Sequence, residues 1–80
     1  MLDALLPQLY NGVDGVGELL VLHTLRGGAQ TIAEAIDEED WPDVVGTIAG
    51  DDTIFVAVAN STAQVRIERR LQRIMAGESR

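Results

Sequence analysis

Two adjacent carboxylates, Asp51 and Asp52, stand between two apolar segments rich in β-branched residues. With Gly50 before them they form a typical turn sequence, so we expect both at the tip of a hairpin joining strands 44–49 and 53–59. Neighbouring like charges repel each other and do not stabilise a fold unless a positive group lies against them. The pair therefore indicates a site for a cation, although a solvated type I′ turn is the alternative, because aspartate is common in turns.

A second polar set falls on a predicted helix that follows Arg26-Gly27-Gly28. The apolar positions whose spacing predicts this helix are Ala29, Ile32, Ala33 and Ile36. On it, Gln30, Ala33 and Asp37 are three and seven residues apart, which stacks them on nearly one face. Gln30 and Asp37 offer polar atoms, and the small residue between them, Ala33, leaves open space.

The segments before this helix are predicted from turn residues and strand propensity. Leu2–Tyr10 is apolar but contains Pro7, which sheets tolerate only at edges, strand starts or bulges, so we expect an edge strand or arm. Residues 11–15 carry Asn-Gly and Asp-Gly turn signals, and 18–25 forms the next, antiparallel strand. The acidic run 37–40 opposes the helix dipole and is therefore expected at or beyond the helix end.

The last element is a predicted amphipathic helix. Ser61 and Gln64 have the spacing of a capping box, and Gly77 is a plausible stop. The apolar positions that mark its buried face are Ala63, Ile67, Leu71 and Ile74.

The resulting order, ββαββα, predicts an α+β fold. Residues 1–80 would form a single two-layer sandwich domain, with a four-stranded antiparallel sheet and two helices on one face. Strands 18–25 and 53–59 are apolar on both sides for most of their length, which requires cover on both faces. Since a chain of this length has no third layer to offer, we expect the helix-free face to pack against other copies, the alternative being that water tolerates it.

Composition limits the function further. The chain of 80 residues has a net charge of −7 and no cysteine, which fits a reducing, cytoplasmic compartment and disfavours contact with nucleic acid phosphates. Arginines at 66, 69, 70 and 73 form a basic stripe on the last helix, which we expect acidic neighbours to neutralise, rather than nucleic acid. The single histidine, His23, has no second ligand or base beside it and is expected in the core or an interface.

The segment Gly46–Phe55, read with 23–30 one helix earlier, resembles the arginine-binding, oligomerisation domain of bacterial arginine repressors. The resemblance covers most of the chain, from about Gly17 to the last helix. It implies a homohexamer of two stacked trimers that binds L-arginine as co-repressor between the trimers and represses arginine-biosynthesis genes. It also implies that operator DNA is bound only through a winged-helix domain that precedes this one in the full-length repressor and is missing from this chain.

Carried onto this sequence, the resemblance implies a specific ligand site. The polar contacts would be Gln30, Asp37, Asp51 and Asp52, with Ala33 beside the ligand and with Thr47 and Ala49 lining the site through strand backbone. Arginine suits these groups because its guanidinium donates to carboxylates in a bidentate fork. The charge of Arg26 and its place beside the site suggest a further hypothesis, that it imitates the ligand in its absence by pairing with an aspartate.

Two other functions remain open. The first is an enzyme, since the strand order also resembles the small pterin dehydratase fold and a carboxylate pair could hold Mg²⁺. Dehydratase chemistry requires several histidines, and this chain has one. A Mg²⁺ site would require further converging carboxylates, which are not evident in the sequence. The second alternative is a structural oligomerisation module that binds no ligand. We therefore expect no catalytic residue, no resident cofactor or metal, and no membrane partner.

Overall fold

The computed structural model describes residues 1–77, which form three helices and four strands. In chain order these elements are α1 (Leu2–Leu9), β1 (Tyr10–Val16), β2 (Leu19–Thr24), α2 (Ala29–Glu39), β3 (Val44–Ala49), β4 (Thr53–Val58) and α3 (Ser61–Met75). The strands form one antiparallel sheet in the order β1-β2-β4-β3. The predicted α+β sandwich with a four-stranded antiparallel sheet is confirmed.

The predicted hairpin of β3 and β4 is present with nearly the expected bounds. The two strands are joined across Gly50-Asp51-Asp52, and the Gly50 amide donates to the Thr53 carbonyl at 2.8 Å. Among the described non-glycine residues only Asp40 has a positive φ. The two aspartates therefore do not form a type I′ turn, which requires positive φ at both central positions.

The N-terminal segment is a helix, so the prediction of an edge strand over Leu2–Tyr10 is wrong. Leu2 and Leu6, one turn apart, are 0% exposed, and α1 packs against α2 and α3. Pro7 lies inside α1, which ends at Leu9. Burial of this leucine face outweighs the loss of the one helical hydrogen bond that proline cannot donate, because only two residues of α1 follow Pro7.

The prediction of a turn at 11–15 is also wrong, because these residues belong to strand β1. A bulge between Tyr10 and Gly12, where Gly12 has φ +148°, lets the Asn-Gly pair remain within the strand. The chain reverses instead after Val16, at Gly17 with φ +60°, before β2.

The two later helices follow the predicted faces, although the cap of α3 differs. The acidic run lies at the end of helix α2, within the expected range: 37–39 form its last residues, and Asp40 ends it in the left-handed conformation. Asn60, not Ser61, caps α3, since its side chain accepts from the Ala63 amide at 2.8 Å. The predicted buried face of α3 is confirmed, and Gly77 has φ +83° just after its end.

The core lies between the sheet and the helices, and the other sheet face is bare. The side chains that alternate with the buried ones on β1, β2, β3 and β4 form this outer face, which we define as Val16, Leu19, Val21, Ile48, Phe55 and Ala57. Ile48 is 77% exposed and Phe55 50% exposed. The predicted helix-free apolar face is therefore present, and no described element of this chain covers it.

Candidate functional site

A groove runs between helix α2 and the sheet-edge strand β3, on the helix side of the sheet. It encloses about 230 Å³ and is open to solvent; the residues that line it are Gln30, Ala33, Glu34, Asp37, Thr47 and Ala49. We call it the α2–β3 groove. Its walls come from positions 30–37 and 47–49, and the fold thus brings together five of the seven residues predicted for the ligand site.

Both walls are positioned by simple periodicity. Residues 30, 34 and 37 follow one another by about one turn on α2, while Ala33 is nearly buried beneath them. Thr47 and Ala49 alternate on β3 and pair with inward-facing residues of β4. The groove floor is therefore made of small side chains, and its helix wall of polar ones.

One side-chain contact crosses this groove from β3 to α2. The Thr47 hydroxyl reaches both carboxylate oxygens of Asp37, at 3.0 and 3.1 Å. The Thr47 side chain thus takes part in the groove, and its expected contact with a ligand through strand backbone stays a prediction. The contact fixes the Asp37 carboxylate while leaving it acceptor capacity for an incoming donor.

Backbone hydrogen bonds hold the hairpin tip against the loop that precedes α2. The Asp51 carbonyl accepts from the amides of Gly27 and Ala29, at 3.1 and 3.2 Å, and the Asp52 carbonyl accepts from the Thr24 amide at 2.8 Å. Gly27 adopts φ +80°, a conformation that favours glycine. This docking sets the tip beside the first turn of α2.

Asp51 and Asp52 have different surroundings. Asp51 lines a second open cavity of about 500 Å³, which shares Gln30 and Glu34 with the α2–β3 groove. The Asp52 carboxylate accepts from the Thr53 hydroxyl at 2.9 Å and lines neither cavity. Within one chain, Asp51 is therefore joined to the groove and Asp52 is not.

Glu34 is the groove residue that the sequence analysis missed. It lies four residues after Gln30 and three before Asp37, and it lines both cavities. The same helical spacing that selected Gln30 and Asp37 would have found it. With Asp37 in the groove and Asp51 in the adjoining cavity, it makes this region anionic, which favours a cationic ligand.

Two other residues singled out in the sequence, Arg26 and His23, do not line the groove. Within residues 1–77 the exposed Arg26 forms no ion pair, so the expected ligand-like pairing with an aspartate is absent from a single chain. His23 lies on the outer sheet side, where its Nε2 is 3.3 Å from Asp14 Oδ2. No helix in the described part of the chain is long and apolar enough to cross a membrane.

Comparison with known proteins assigns the family. Residues 6–73 match the family model described as "Arginine repressor, C-terminal domain". This match covers most of the chain, so the chain belongs to that family, as the resemblance predicted. The family is a regulatory one rather than a class of enzymes.

The similar curated proteins are also named arginine repressors. An arginine repressor of Caldicellulosiruptor bescii is 48% identical over 63 residues, which cover 79% of this chain and 41% of the relative. One of Staphylococcus saprophyticus is 48% identical over 74% of this chain and 39% of its own length. One of Thermoanaerobacter sp. is 40% identical over 92% of this chain and 49% of its own length. The chain thus spans half or less of the length of these curated relatives.

Proposed function

We propose that this chain is the L-arginine-sensing and oligomerisation domain of a bacterial arginine repressor. The observation that carries the proposal is the α2–β3 groove, where residues from two distant segments meet around one anionic cavity. The name of the family and of the relatives supports arginine as the ligand.

The groove suits arginine chemically. Arginine has two cationic ends separated by an aliphatic stem, and the groove has carboxylates at its polar wall and alanines at its floor. The Asp37 and Asp51 carboxylates would accept from the guanidinium or the α-ammonium group, and the Gln30 amide would pair with either charged end of the amino acid. Ala33 and Ala49 would contact the stem.

Asp52 fits the proposal only through a second copy. Because its carboxylate lines neither cavity of its own chain, it would meet a ligand held by a neighbouring subunit. This matches an arginine bound between two trimers, where the open side of the groove is closed by the opposite subunit. Ligand bound in this way stabilises the joined state by ~2.7 kcal/mol per site when its concentration is about one hundred times its Kd.

The outer face would hold the trimer together. Its exposed apolar side chains need cover, and a homo-oligomer, a hexamer of two trimers, provides it. Arginine would then act allosterically as co-repressor of arginine-biosynthesis genes in the cytoplasm. Operator DNA would be bound by a separate winged-helix domain of the full-length repressor.

Calorimetric titration with L-arginine and with citrulline tests the proposal. Citrulline keeps the shape of arginine but has a neutral urea group, so we expect heat with arginine and little or none with citrulline. Equal binding of both would show that the carboxylates do not select a cation. No heat with either would leave a structural oligomerisation module, the alternative function.

Three charge-removing variants, one of them a control, sharpen this titration. We expect Asp51→Asn to weaken arginine binding by ~2–5 kcal/mol, the scale for truncating one partner of a buried charge pair. Glu18→Gln removes the same charge from the exposed β1–β2 turn and should leave the affinity nearly unchanged. A parent-like Asp51→Asn would mean that the site is elsewhere. Asp52→Asn should weaken binding only under conditions where the chain assembles.

A further inference from the structure

A second groove lies along helix α3 and has the opposite charge. It encloses about 350 Å³, and the residues that line it are Asp43, Arg66, Ile67, Arg69, Arg70 and Arg73. We call it the α3 groove. None of its residues lines the α2–β3 groove or its adjoining cavity.

The charge of the α3 groove runs against that of the whole chain. The protein has a net charge of −7, yet this groove holds four of its six arginines and a single carboxylate among its lining residues. The four positions follow the i, i+3, i+4, i+7 rule and so share one helix face. Acidic neighbours were expected to neutralise this stripe, but among residues 1–77 only Asp43 lines the groove with a carboxylate and pairs with one of its arginines.

Two of the four guanidinium groups are already held in place. Arg66 donates its Nε–H to Asp43 Oδ2 at 2.9 Å, and the Arg70 guanidinium carbon lies 4.8 Å from the centre of the Trp41 ring. Each contact leaves further N–H donors available, since a guanidinium carries five. Ordering these side chains in advance reduces the entropy that a ligand must overcome on binding.

The other two guanidinium groups have no such partner in the described part of the chain. Arg69 and Arg73 form no ion pair within residues 1–77, although they lie about one turn apart on the same groove wall. Like charges at this spacing destabilise a helix, and the repulsion is relieved when an anion enters between them. The groove thus combines fixed donors with uncompensated charge.

We propose that the α3 groove is a binding site for a phosphate group. Guanidinium forks match the oxygens of phosphate in a bidentate geometry, and several converging forks suit its multiple acceptors and its charge. Trp41, the aromatic ring beside the groove, is buried and has Arg70 over it, so no face is open for stacking a base. The group recognised is therefore the phosphate itself, supplied either as free phosphate or as the phosphodiester of a nucleic acid backbone.

Titration of the 80-residue chain with inorganic phosphate, followed through the arginine Nε–Hε resonances, tests the proposal. Ionic strength is held constant with sodium chloride. We expect saturable shifts at positions 66, 69, 70 and 73. The double variant Arg69→Gln/Arg73→Gln, which changes only exposed side chains, should raise the Kd about tenfold or more. Arg26→Gln is the matched control and should bind like the parent.

Three outcomes would overturn the proposal. Shifts that grow linearly without saturation, or that chloride reproduces at equal ionic strength, would indicate diffuse screening rather than a site. A double variant that binds phosphate as tightly as the parent would place binding elsewhere. Stronger competition by polyglutamate than by phosphate would show that the groove takes carboxylates instead.

A parallel titration with a short DNA duplex of arbitrary sequence distinguishes the two sources of phosphate. Salt-dependent duplex binding that is tighter than binding of free phosphate, and that is lost in the double variant, identifies a backbone phosphodiester. Phosphate binding without duplex binding identifies a small phosphate ligand. Absence of binding in both titrations refutes the proposal, and it leaves the arginine site untouched because the two grooves share no residue.

Discussion

Replacing Phe55 with alanine tests whether the outer face joins copies of this chain. Phe55 lies on β4 between Val21 of β2 and Ile48 of β3, so it occupies the middle of the apolar surface. It is 50% exposed in the single chain, while its neighbour Ile48 is 77% exposed. The exposed parts of these side chains add nothing to the fold of one chain and should contribute strongly to its assembly.

The size of the effect follows from the exposed area. A phenylalanine buries ~150–250 Å² when fully covered, so covering the exposed half removes ~100 Å² from water. At ~25 cal/mol per Å² this amounts to ~2.5 kcal/mol for each copy. Alanine retains part of that surface, so we expect a loss of ~2 kcal/mol per contact, or a roughly thirtyfold higher dissociation constant.

Sedimentation velocity over a dilution series measures this change. The parent should sediment as an oligomer to lower concentration than Phe55→Ala, and near-ultraviolet circular dichroism of Trp41 should show that the variant subunit remains folded. Val65→Ala is the matched control: Val65 is an apolar residue on α3 that is 43% exposed, on the other layer of the molecule. It should leave assembly unchanged.

Two results would refute this reasoning. If Phe55→Ala assembles like the parent, the outer face is not the interface, and its exposure has another explanation. If Val65→Ala dissociates the oligomer as strongly, then apolar area anywhere on the surface drives association, and the outer face has no special role.

Two further predictions concern stability. Gly27→Ala should lower the free energy of unfolding by ~1–2 kcal/mol, because φ is +80° at this position and the Gly27 amide donates to Asp51. Gly46→Ala should lower it by less, because Gly46 has an ordinary φ and open space around it. Equal losses for the two variants in urea melts would contradict the argument. The Arg66 hydrogen bond lowers the pKa of Asp43, so the stability that the pair contributes should be present above about pH 4 and disappear as pH falls through the lowered pKa. The stability difference between the parent and Asp43→Asn should therefore shrink on acidification, and a difference that shrinks with rising pH would oppose this assignment.

Elements with strong local signals were predictable from the sequence. The hairpin 44–58 was found because β-branched runs flank a Gly-Asp-Asp turn, and α3 because its apolar positions repeat at helical spacing. These signals act within a few residues, so no knowledge of packing was needed.

Helix α1 was missed for the opposite reason. Leu2 and Leu6 have helical spacing, but Pro7 suggested a strand edge, and only packing against α2 and α3 reverses that preference.

The groove was predictable only on its helix wall. Spacing placed Gln30, Ala33 and Asp37 on one face, whereas Thr47 and Ala49 came from the family resemblance, because strand pairing and the packing of β3 against α2 are long-range features. The contact between Thr47 and Asp37 has no local signal at all. Glu34 has the same helical spacing as Gln30 and Asp37 and could have been included, but only the position of the opposite wall shows that this charged residue lines a groove.

The docking of the hairpin tip constrains how the proposed ligand would act. Backbone amides of Thr24, Gly27 and Ala29 donate to the carbonyls of Asp51 and Asp52, so the tip is already held beside the start of α2 without a ligand. Arginine that binds such a preformed site has little to gain from reshaping the subunit, and its binding free energy is then available for joining subunits. Under the proposed function, arginine should shift the assembly equilibrium while leaving the circular dichroism of the subunit unchanged. A ligand-induced change in subunit structure at constant oligomeric state would mean that the tip is not rigidly held, and that the coupling runs through the fold rather than through the interface.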